Sequence, residues 1–335
     1  MLPGAARSQE SSSAPRAYSV DSAQQANSSS QESAAPAASQ GSPEVAWQQS
    51  LAAWRAAREQ EIAAPNGWLT LIGLEWLKPG INTVGTAADS TVRIRASAPE
   101  HIGILTVNGA VVQLLAPTGG FPADLQIDGV PAREGVLETD AISLGGAGKP
   151  AIPTKPPVIS WHGLTLAILA RGDRFALRIK DSDAAARTSF HGLNWYAPDA
   201  KFLVEAKWIP FTPPRILKIP TVLGTTLDLP SPGVVEFRLG DSTLRLEPVI
   251  EVPGSQVLFF LIRDATSRTT TYATARYLHT GLPDHGLDRP GTLILDFNRL
   301  ENPPCAYTPY ATCPLPPEQN RLWVAIEAGE KRYAP

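Results

Sequence analysis

Apolar positions first recur at helical spacing. Trp47, Leu51, Trp54 and Arg58 fall at i, i+4, i+7 and i+11, so two indoles and a leucine share one stripe, and Pro65-Asn66-Gly67 ends the pattern. The spacing predicts one helix over 44–64. Beyond Gly67 the period shortens. Runs rich in β-branched and aromatic residues cover Thr91–Arg95, Ile104–Val107, Val111–Leu115, Leu164–Ala170, Arg174–Lys180, Leu203–Trp208, Val234–Leu239, Val257–Ile262 and Thr292–Phe297, with Gly, Pro, Asp or Asn between nearly all of them. Many short strands punctuated by turn residues predict a mostly β, antiparallel protein of sandwich and barrel type. The Pro-rich stretch Lys149–Pro157 interrupts pairing on both sides. It divides the β region into a small sandwich over 65–150 and a larger barrel-like domain over 151–335.

Residues 1–43 differ in kind. Ser and Ala supply 22 of these 43 positions. Such a segment buries too little apolar surface to offset its ordering entropy, and it reads as a disordered leader. It holds no apolar run of signal-peptide length, and no run of membrane-spanning length follows. The chain as written therefore reads as cytoplasmic, and as exported if a signal peptide lies upstream. Composition narrows the classes further. Lys and Arg number 29 against 32 Asp and Glu, a net charge of −3 that argues against a nucleic-acid partner. The 32 prolines and 26 glycines argue against a helical bundle, and two cysteines build neither a disulfide scaffold nor a four-thiolate zinc site. No Gly-x-Ser-x-Gly elbow, phosphate loop or His-Glu-x-x-His string is present, and neither a cofactor nor a metal is expected.

Over about 75–145 the order of segments resembles the forkhead-associated sandwich. The carriers are Gly80–Gly85, Ser90–Ile94, Glu100–Leu105, Val111–Leu114 and Leu125–Val130. That family implies a phosphothreonine site, but here Thr86, Ala98, Glu100 and Asp128-Gly129 depart from its pattern. Phosphate capture needs charge-assisted donors that this loop does not offer. A packing module, or one that takes a protein partner through the sandwich, is the reading that remains.

Candidate chemistry concentrates further on. Alternation over Arg174–Asp181 puts Phe175, Leu177 and Ile179 on one face and Arg174, Arg178 and Lys180 on the other, and Asp181 stands within reach of Arg187. Arg263–Tyr277 reads as strand, polar turn and strand, with Tyr272 and Arg276 on one sheet face by their even spacing. Between Pro303 and Pro317 six prolines fix φ and remove donors, so the segment is a stiff irregular loop. Asp296, Asn298, Tyr307 and Asn320 lie in or beside it. With Arg178, Arg187, Tyr272 and Arg276 they form a candidate site for a small polar or anionic ligand; the competing reading is that they satisfy the loop's own backbone groups. Cys305 and Cys313 are disulfide partners, packed thiols or a reactive thiol with His191 as base; spacing alone leaves these open. Glu327 and Glu330 beside Lys331 read as surface charges.

The strings Asp296-Phe297-Asn298, Asn302-Pro303-Pro304-Cys305-Ala306-Tyr307, Cys313-Pro314-Leu315-Pro316-Pro317 and Ala328-Gly329-Glu330-Lys331 resemble domain of unknown function family 1684 of bacteria and archaea. Gly67-Trp68-Leu69, Gly73–Leu77, Arg187, Phe190-His191-Gly192 and Thr271-Tyr272 fit it too, over about 45–332. The resemblance implies no established activity. Two functions stay open: a ligand-binding β domain, or a non-catalytic interaction module whose Pro/Cys motif is a structural clasp.

Overall fold

The computed structural model describes residues 42–140, 142–143, 152–153 and 155–334; the expected leader lies outside them except for Ser42 and Pro43. These two residues start helix α1 (Pro43–Ile62). The Ser42 hydroxyl accepts from the Val45 N–H at 3.4 Å, and Pro43 occupies the first turn, where no N–H is needed. Leu51 and Arg58 of the expected stripe are buried, as is Ile62 beyond it.

Strands β1 (Leu71–Trp76), β2 (Gly80–Gly85), β3 (Val92–Arg93), β4 (Gly103–Asn108), β5 (Val111–Leu115), β6 (Gln126–Ile127), β7 (Val130–Pro131) and β8 (Gly135–Leu137) follow. A short pair, β9 (Ile142–Ser143) and β10 (Ile152–Pro153), precedes β11 (Ile159–Trp161), β12 (Leu164–Arg171) and β13 (Arg174–Asp181). Apart from the β9–β10 pair they form two sheets, in orders β1-β13-β12-β11-β6-β7 and β3-β2-β4-β5-β8. One core joins the sheets: Val84, Leu105, Val112 and Leu114 face Leu164, Leu166, Ile168, Leu177 and Ile179. The expected sandwich is present, but it runs past the boundary drawn at residue 150. β11, β12 and β13 hydrogen-bond between β6 and β1 and carry much of the core, so strands on both sides of that boundary belong to the sandwich. Strands β1 and β3 are edge strands, one in each sheet.

Short helix α2 (Ala185–Thr188) leads to β14 (Leu203–Pro220), β15 (Thr226–Leu239), β16 (Ser242–Leu246), β17 (Val257–Ile262), β18 (Arg276–Gly281) and β19 (Gly291–Asp296). The long hairpin β14–β15 sits in a sheet of order β16-β15-β14-β19. The hairpin β17–β18 packs across it, with Phe202, Trp208, Phe237, Phe260, Leu295 and Phe297 between them. Among the described strands this sheet ends at β16 and β19 and does not close into a barrel. Tyr272 and Arg276 do not share a strand face, because Tyr272 lies in the connection before β18. Among the described strands all pairings but one are antiparallel; β2 with β3 is parallel.

Candidate functional site

Helix α1 packs on the C-terminal half of the chain. Its Trp47 Nε1 donates to Asp296 Oδ2 at 2.9 Å, and Trp54 meets Trp195 edge-on at 5.6 Å. About one turn beyond Trp54, Arg58 is buried with 6% of its surface exposed. Its Nε lies 3.2 Å from Glu330 Oε1 and 3.3 Å from Glu301 Oε2, and its Nη2 donates to the Asn302 carbonyl at 3.0 Å. Glu61, one turn along, approaches Nη1 at 3.5 Å.

Glu330 is fully buried. Its second oxygen accepts from the Tyr307 hydroxyl at 2.6 Å and from the Asn302 N–H at 2.8 Å. Gly329 makes this placement feasible. It adopts φ +77°, and a Cβ there would stand 2.6 Å from Leu300 Cβ. Glu330 was expected at the surface beside Lys331, and the structure overturns that. The chain turns at Gly329 to send this one side chain inward, while Glu327 stays exposed. Burial lowers the Arg58 guanidinium, but the charges of Glu301, Glu330, Tyr307 and Glu61 outweigh it and leave the group well above its ordinary range. Burial raises the carboxyls of Glu301 and Glu330 despite Arg58.

Toward solvent the cluster continues as a rim. The His279 ring stacks on Phe259 at 4.7 Å, with Nδ1 3.5 Å from Glu301 Oε1. Burial and the Arg58 charge push this imidazole down to about 4, so it is neutral at neutral pH. Glu251 is open to solvent on one side. Crowding behind it and the charge of Glu301 push its carboxyl up to about 7.

Most of the residues expected to gather round a ligand are engaged by hydrogen bonds within the protein. Arg276 is 1% exposed and donates to Asp264 Oδ2 at 2.9 Å, the Ile326 carbonyl at 2.8 Å and the Ala328 carbonyl at 2.5 Å. Arg187 donates to the carbonyls of Ala63 and Ser182, each at 2.8 Å, rather than pairing with Asp181. Asp296 accepts from Trp47, Asn298 and Arg299; Asn298 exchanges two 3.0 Å bonds with the Asp199 backbone; Asn320 bonds both backbone groups of Glu247. Tyr272 donates to the Cys305 carbonyl at 3.0 Å. Arg178 lies on sandwich strand β13, over the Trp68 ring at 5.8 Å, outside the C-terminal sheet altogether.

Cys305 and Cys313 form a disulfide with Cα atoms 6.2 Å apart, which removes the reactive thiol that His191 was to activate. The loop so closed reaches both halves of the molecule. Thr308 Oγ1 donates to the Leu71 carbonyl of β1 at 2.8 Å, and Arg171 of β12 lies 3.4 Å from Thr312 Oγ1. On the other side the Val222 N–H bonds the Cys313 carbonyl at 3.0 Å, and the Tyr277 hydroxyl bonds that of Pro314 at 2.8 Å. Leu71, Ala311 and Cys313 pack together with Trp68 and Cys305.

Sequence reasoning missed Glu61, Glu251, Glu301 and Asp264 as partners in this region. Arg58 carried the available signal: a cation on an otherwise apolar stripe, which demands a buried counter-charge. Among the described residues no group of three or more His, Cys, Asp or Glu is placed to hold a metal, and no helix is long and apolar enough to cross a membrane.

Residues 188–331 match a family described as protein of unknown function, DUF1684. A solution NMR structure of an uncharacterized protein from Haloarcula marismortui is 31% identical, over 43% of this chain and 78% of that one, with a TM-score of 0.38. No curated protein matches the chain.

Proposed function

The chain belongs to the DUF1684 family, whose activity is not established, and on that footing we propose that its signature strings act as a structural clasp in a non-catalytic binding module. The clasp holds helix α1, the sandwich and the C-terminal sheet in one alignment, and the module works through surfaces that this alignment creates. The single observation that carries the reading is the buried Arg58–Glu301–Glu330–Tyr307 cluster, which draws on α1, the Pro-rich loop and the chain end at once. Side chains so enclosed cannot touch a ligand, and removing one strands the others without a counter-charge. Hydrogen exchange on the intact chain tests this. Residues 50–62 and 300–333 should open as one cooperative unit. If α1 exchanges freely while 300–333 stays protected, the clasp reading fails.

A second reading is favoured by Glu251 specifically. A carboxyl raised to about 7 by burial and by the charge of Glu301 is suited to general acid or base work. Carboxyl-carbon NMR decides it: a Glu251 midpoint in the ordinary carboxylate range removes this reading.

A further inference from the structure

The sandwich leaves one side open, where edge strands β1 and β3 of its two sheets face each other. A cavity of about 150 Å³ lies there. Ile72, Gly73 and Ile179 line it together with the polar and charged side chains of Glu75, Arg93, Arg95 and Tyr310. It continues into a wider, more open groove past Thr86 and Ala96.

Arg93 and Arg95 project to the same side because they alternate with Val92 and Ile94, which are 1% and 2% exposed in the core. Among the described residues neither guanidinium has a side-chain hydrogen bond or ion pair. Glu75 is the acidic residue on the cavity wall, so the mouth carries excess positive charge. Tyr310 comes from the disulfide-closed loop. Its N–H bonds Thr308 Oγ1 at 3.3 Å, and that hydroxyl bonds the Leu71 carbonyl, one residue before Ile72 of the lining.

We propose that this edge cavity binds a small organic anion: a carboxylate or phosphate on an apolar body about the size of one ring. The volume suits a body about the size of one ring, since benzene occupies a cavity of roughly 150 Å³. Paired guanidiniums suit a carboxylate or phosphate through bidentate, charge-assisted bonds. The proposal rests on the clasp reading, because the loop that delivers Tyr310 is held by the clasp.

The test is calorimetric titration of the full, disulfide-bonded chain with benzoate, alongside inorganic phosphate and benzyl alcohol, each of which lacks one half of the feature. Benzoate should bind, and the other two at least about tenfold more weakly. Arg93→Gln with Arg95→Gln should weaken benzoate about tenfold or more at an unchanged melting temperature, since neither side chain supports the fold. Glu75→Gln should tighten it by removing the local repulsion. The proposal is overturned if benzoate does not bind a chain whose α1 and 300–333 remain co-protected in hydrogen exchange, or if the double variant binds as the natural chain does. Loss of that co-protection instead overturns the clasp reading and this proposal with it.

Discussion

Arg58→Met isolates what the clasp contributes. Methionine fills similar volume and keeps helix propensity, so the change removes charge and donors without opening a large cavity. Three contacts within 3.3 Å disappear, and Glu330, fully buried, keeps only Tyr307 and the Asn302 N–H as partners. Breaking one side of a buried pair costs about 3–5 kcal/mol, because the remaining charge has no compensation. The sign of the pH dependence follows. Without Arg58 the folded-state pKa of Glu330 rises further above its unfolded value. Stability is then retained at pH below the unfolded carboxylate value and lost as pH rises through the folded one, so the deficit is larger at pH 8 than at pH 4.5. Urea unfolding followed by tryptophan fluorescence at the two pH values measures both quantities. Adding Glu330→Gln should recover part of the loss, with a coupling of about 1–3 kcal/mol. A cost below about 1 kcal/mol, or an equal cost at both pH values, would refute the view that the cluster holds the molecule together.

Four further outcomes follow from the same geometry. Cys305→Ser with Cys313→Ser, measured by denaturant midpoint against the oxidised chain, should cost about 2–3 kcal/mol, the chain-entropy value for so short a loop; no change would mean that the loop is held without its bond. Gly329→Ala forces an L residue to φ +77° against Leu300 and should cost more than about 2 kcal/mol by the same assay, where a neutral result would show that the turn has room to relax. The folded Glu251 carboxyl, raised to about 7 from 4.5, favours the fold at low pH and loses that contribution as pH rises between these values. Glu251→Gln should therefore gain melting temperature over the natural chain on going from pH 5 to pH 8, and a constant difference contradicts it. His279 behaves oppositely: lowered to about 4, it supports the fold above 6.5 and loses that support as pH falls toward 4. Its ring proton should titrate near 4 by NMR, and higher in Arg58→Met.

The legible part of this protein is the part governed by local periodicity. The stripe Trp47–Leu51–Trp54–Arg58 marks α1 within two residues at each end, and all nine apolar runs fall in or across strands, because alternation and turn residues act on neighbours in the chain. The boundary at 150 failed for a non-local reason. The proline-rich stretch was expected to stop pairing, yet it holds β10, which pairs with β9, and nothing in it tells that the strands beyond rejoin the sheet, where β13 pairs with β1 a hundred residues earlier. The site residues illustrate the same limit. Arg276 and Arg187 have the composition of an anion site, and which of their donors is spent on Ile326, Ala328, Ala63 or Ser182 depends on chain crossings that spacing cannot encode. Glu330 is the sharpest case. Beside a lysine near the chain end it reads as surface charge; only Gly329 signals the reversal, and it does so through a backbone angle. Arg58 shows where a sequence does report such a cluster: a guanidinium on a buried stripe obliges the fold to bring carboxylates from elsewhere, and the fold brought Glu301 and Glu330.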